Sequence, residues 1–131
     1  MPTVVRKTQE TLMEMRRSIL HSVSWQVKSS VWDPPTDVYE IEDAYIARME
    51  IAGMREEDFD VSVLNDTLYI TGFRPDAAAS RAYHQMEIGS GKFATLIELP
   101  GPVDVDTASA EYKDGFLTIT LPKNTLNKVT D

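Results

Sequence analysis

The stretch "EYKDGFLTITLPK", residues 111–123, decides the fold. Successive side chains of a strand point to opposite faces, so a run with period two marks a strand with one buried side. Ala108, Ala110 and Tyr112 share one face before Asp114-Gly115, and Leu117, Ile119 and Leu121 share one face after it. A two-residue hairpin turn of the mirror-image type requires positive φ at both central positions, which Asp-Gly tolerates. Pro122 then ends the second strand by removing a ladder donor.

Working outward, the same period recurs from residue 36 onward. "TDVYEI" is a short strand candidate. "AYIARMEI" places Tyr45, Ala47, Met49 and Ile51 on one face, and "FDVSVL" places Phe59, Val61 and Val63 together. Asn65-Asp66 turns the chain into "TLYITGF", where Leu68 and Ile70 alternate with Tyr69 and Thr71. "GMREED" is a turn or short helical loop, "RPDAAASR" a loop, and "AYHQMEI" a further short strand candidate. "GSG" leads into "KFATLIELP", with Phe93, Thr95, Ile97 and Leu99 on one face. About eight short strands separated by turns indicate an all-β, immunoglobulin-like β-sandwich.

The first third of the chain differs. Residues 3–21 are expected to form a helix, because Val5, Leu12 and Ile19 recur every seven positions with Met15 and Leu20 beside them. Residues 21–35 are Ser-rich, carry Trp25 and Trp32, and close on Pro34-Pro35. An exposed tryptophan is costly unless it touches something, so this segment either docks on the domain or meets a partner. The organisation expected is an N-terminal arm over residues 1–33, a domain over 34–123 and a short polar tail over 124–131.

Charge and composition narrow the function classes. The 131 residues include 21 Asp and Glu against 13 Lys and Arg, a net charge of −8. Residues 1–28 hold five basic groups against two acidic ones, and the remainder eight against nineteen. So acidic a body repels phosphate backbones, which argues against nucleic-acid binding. With no cysteine there is no disulfide, thiolate metal site or thiol nucleophile. No membrane span is expected, and the default expectation is a soluble cytoplasmic protein.

Catalytic patterns are missing. His21 and His84 lie in different segments without ligand spacing, and the run Glu56, Glu57, Asp58, Asp60 lacks the layout of a calcium loop. "GSG" is no phosphate cradle, and there is no nucleophile elbow. No cofactor, metal site or enzymatic activity is expected, and any action is expected to be independent of ATP.

Several segments together resemble the small heat-shock proteins, whose core is the α-crystallin domain. Ala110, Gly115 and Leu117 fit that family's A-x-x-x-(N/D)-G-(V/F)-L pattern, followed by "TITLPK". "WDPPTDVYEIEDAYIARMEIAGMREEDFDVSV" resembles its W-x-P-x-x-D entry and its E-(I/L)-P-G step, with Ala52 where proline is usual. "LYITGFR" resembles L-x-I-x-G-x-R, and "AYHQMEIGSGKF" resembles the Y-H-x-x-E…G-x-F segment. The match runs in order over about residues 32–123.

The resemblance implies an ATP-independent holdase that captures partly unfolded proteins. It makes Leu12, Met13, Met15, Trp25, Val31 and Trp32 candidate client contacts. In bacterial and plant members a strand after L-x-I-x-G pairs with a second subunit, setting Ala82, Tyr83, His84 and Gln85 against the partner copy's residues equivalent to Asp37, Val38 and Tyr39. An apolar groove would be lined by Val61, Val63, Ala110 and Tyr112. Two positions depart from the family. Thr95 stands where arginine is frequent, and "NTLNKVTD" carries no I-x-I/V anchor for a neighbouring groove, so a dimer or small oligomer is expected rather than a large shell. The rival reading is a co-chaperone or adaptor of the related CS type, which uses the same sandwich to bind one dedicated partner.

Overall fold

The computed structural model describes residues 32–75 and 81–124, together with the backbone of Val5–Arg6. Two four-stranded sheets face each other. One has the order β2 (Thr36–Glu40), β3 (Ala44–Glu50), β8 (Phe116–Pro122), β7 (Ser109–Lys113). The other has the order β1 (Val5–Arg6), β4 (Phe59–Leu64), β5 (Thr67–Arg74), β6 (Gly91–Glu98). All pairs are antiparallel except β1 with β4, which is parallel.

The register follows from the alternation. Tyr45, Ala47 and Met49 stand opposite Leu121, Ile119 and Leu117. On the facing sheet Val61 and Val63 stand opposite Ile70 and Leu68. A one-residue slip would move each set into water, so burial itself fixes the pairing. These side chains join Ile51, Phe59, Phe93 and Ala110 in one core cluster. Burying each large aliphatic or aromatic side chain stabilises the sandwich by about 1.5–3 kcal/mol.

The two tight turns have the expected geometry. Asp114 and Gly115 have φ of 53° and 83°, and Asn65 and Asp66 have φ of 51° and 63°. Pro122 closes β8, and its carbonyl accepts from the Asp104 N–H at 2.8 Å. "GMREED" contains one 3-10 turn, Glu56–Asp58, in which the Arg55 N–H donates to Asp58 Oδ2 at 3.0 Å.

Two elements differ from expectation. Val5–Arg6 do not begin a helix: they form β1, with Val5 opposite Val61 and Arg6 opposite Ser62. The free edge of β4 offers unpaired donors and acceptors, which a β-branched segment can use. The rest of the expected helix lies outside the described residues. The strand expected at "AYHQMEI" is also missing within the single chain, where residues 81–90 form no strand.

Candidate functional site

The candidate pairing residues occupy two separate places. Asp37, Val38 and Tyr39 lie on β2, an outer strand of its sheet that is paired on one side with β3. Val38 and Tyr39 are 44% and 47% exposed. Lys123 ties this strand to the end of β8, donating to Glu40 Oε2 at 2.5 Å and to the Glu42 carbonyl at 3.1 Å. That hydrogen bond to Glu40 holds the Lys123 ammonium above the usual lysine pKa.

Ala82, Tyr83, His84 and Gln85 belong to the segment 81–90, which connects to the other sheet. All four are exposed, as are Met86 and Ile88, the latter at 78%. They are not strand-paired with β2 inside the chain. Among the described residues no three His, Asp or Glu side chains are grouped to hold a metal, and no helix is long and apolar enough to cross a membrane.

The foot of this segment is clamped by Arg74. Its Nε donates to the Gly89 carbonyl at 2.9 Å, Nη2 donates to the same oxygen, and Nη1 donates to the Ala52 carbonyl at 3.1 Å. Its guanidinium carbon lies 4.2 Å from the centre of the Trp32 ring, a cation–π contact. Trp32 is held from three sides. It forms a bridge beside Phe93, meets that ring edge-on at 5.9 Å, and donates from Nε1 to the Gly91 carbonyl at 3.3 Å. A Cβ on Gly89 would fall 2.3 Å from the Trp32 ring, so the backbone approaches there as only glycine allows.

Trp32 is therefore docked on the sandwich rather than free in the arm. Leu12, Met13, Met15, Trp25 and Val31 lie outside the described residues. Arg74 is the contributor the sequence reading passed over. It sat in the quoted "LYITGFR", but its role depends on Trp32 and Gly89, which are distant in sequence. Beside it an open cleft of about 470 Å³ is lined by residues including Ala52, Arg74, Tyr83, Met86 and Ile88.

The expected groove residues come together, but inside the molecule. Val61, Val63 and Ala110 are buried core residues, with Tyr112 half-buried against them. The Tyr112 ring lies 5.1 Å from Phe59. Its hydroxyl donates to the Ile51 carbonyl at 2.7 Å and accepts from the Met54 N–H at 3.3 Å. The outer edge of β4 is paired with β1. Of the motif residues, Ala110 and Leu117 face the core and Gly115 supplies the turn.

Comparison with known proteins gives consistent matches. The profile of the "Hsp20/alpha crystallin family" matches residues 37–130. The "Small heat shock protein C2" of Rickettsia felis is 31% identical over 97 residues, covering 72% of this chain and 63% of that protein. The "Probable 15 kDa heat shock protein" of Leptospira interrogans is 27% identical over 116 residues, covering 88% of this chain and 89% of that protein. Heat shock protein 16.0 from Schizosaccharomyces pombe superposes with a TM-score of 0.64 at 29% identity, over 70% of this chain and 87% of that one. The chain spans less than two thirds of the length of several curated relatives, 63% for both Rickettsia felis proteins it matches and 54% for a Stigmatella aurantiaca spore protein.

Proposed function

Because the chain belongs to the Hsp20/alpha crystallin family of small heat-shock proteins, non-enzymatic and typically ATP-independent chaperones, we propose that it is a holdase that shelters partly unfolded proteins. The observation that carries this reading is the apolar surface that the sandwich leaves in water outside the segments that pair: Ile41, Phe73 and Ile88. Unfolding clients expose surface of the same kind, and covering it lowers the free energy of both partners.

The same reading divides the surface into two tasks. Residues 81–87 pair with β2 of a second copy, satisfying edge groups that a lone chain leaves to water. Leu12, Met13, Met15, Trp25 and Val31 supply flexible and aromatic contacts for many clients. Trp32 serves as the hinge post where the arm joins the domain, so the domain begins with it, at residue 32, and ends near 123.

The test is light scattering from unrelated model clients on heating, without nucleotide. A holdase slows aggregation of several of them. A CS-type adaptor would protect none broadly, and that result would replace the proposal.

A further inference from the structure

The sheet β1-β4-β5-β6 has a second face, turned away from the core. Ser62, Leu64, Tyr69, Thr71, Ala94 and Leu96 stand on it, because they alternate with the core residues in the observed register. Strand neighbours can shield the flanks of a side chain but not the top of a ring. Yet Tyr69 is 1% exposed and Ser62 3%. Among the described residues Tyr69 clusters only with Leu64 and Ala94, both on its own face. Such burial requires a further layer over this face.

The chain path indicates what that layer is. β1 runs parallel to β4 at one edge of the sheet, and Trp32 bridges in parallel to Phe93 of β6 at the other edge. β4 and β6 both run antiparallel to β5, so the chain leaves β1 and returns at Trp32 in the same direction. A same-direction return is a crossover, and it must pass one face of the sheet. The inner face is filled by the opposite sheet. The distance to cross is four strand spacings, about 19 Å. Residues 7–31 exceed that reach even as a helix at about 1.5 Å per residue. Charge agrees: residues 1–28 carry a basic excess, and the remainder of the chain a large acidic one.

We propose that residues 7–31 of the same chain dock on the outer face of β4-β5-β6, seating their Leu12, Met15 and Ile19 stripe over Tyr69, Leu64 and Ala94. This docking stands whether or not the chain shelters clients, and its test contains no client.

The chain has no cysteine, so Ser62→Cys places a single, near-isosteric reporter under the proposed layer. Its reaction with Ellman's reagent is followed in the full chain, in a chain lacking residues 1–31, and in the full chain with Leu12→Glu and Met15→Glu. The expected result is reaction at least about 10-fold slower in the full chain than in the truncated one, with the double-Glu chain between them. The double-Glu chain retains β1, so its behaviour tests the docking even if the truncated chain proves unstable. Equal rates in all three chains, fast or slow, overturn the proposal, because the face is then bare or covered by something else. Protection of the truncated chain by added cysteine-free full chain also overturns it, assigning the face to another copy's arm.

Discussion

At the scale of single residues, Gly89 and Gly115 show two different demands. Gly115 sits at φ 83°, where an L side chain meets its own carbonyl. Gly115→Ala should lower unfolding free energy by about 1–2 kcal/mol, read from urea denaturation, with the fold unchanged. A wild-type value would mean that the turn relaxes freely. Gly89 answers to space instead, since any Cβ there overlaps the Trp32 ring. Gly89→Ala should cost about 1–3 kcal/mol and shift the Trp32 emission toward the red, measured in a Trp25→Phe background. Unmoved emission would show that the ring is not held there. The first demand was legible in the sequence, because Asp-Gly between two alternating runs states its own backbone need. The second was not: it arises where Arg74, Trp32 and Gly89 meet, and no local pattern records that meeting.

Elements were legible wherever their partner belonged to the same sheet and one face was buried. Each strand from β3 to β8 carries a period-two signal, because one of its faces meets the core, whereas β2 has no buried residue and is held by its pairing with β3. The two exceptions were set by pairing rather than by pattern. Val5–Arg6 fall within a helical period, yet the edge of β4 takes them as a strand. Residues 81–87 alternate like a strand but form no strand with the described residues of the chain. In the proposed dimer that partner is β2 of the second copy. Tyr83→Pro or Gln85→Pro should then shift native mass spectra from dimer to monomer, since proline removes a donor and fixes φ. Thermal unfolding of the monomeric sandwich should change little, because the segment adds no strand to it. A dimer that survives either substitution removes residues 81–87 from the interface.

For the whole molecule, the two proposals, sheltering clients and covering Tyr69, draw on the same arm residues, so the two uses would compete. Removing residues 1–30 should leave a folded sandwich that has lost most of its protection of heated clients. Replacing Trp25 alone by serine should reproduce part of that loss, without disturbing the seat of Trp32. Undiminished protection by the truncated chain would move client capture onto the sandwich. Competition also predicts that a destabilised client, added to the Ser62→Cys chain, speeds its thiol reaction. If clients bind while the rate stays constant, they use surface other than the docked stripe.

The pairing of β1 with β4 carries a consequence for synthesis. Val5 leaves the ribosome first, but the strand it adds to is completed only at Leu64. At typical elongation rates the arm waits about 3–12 s for that template. During translation it is thus an unsheltered nascent segment, open to whatever other chaperones or ribosomes lie nearby. Neighbouring nascent chains on one polysome would present their arms to one another in that interval, giving subunits an opportunity to associate before any sandwich is finished.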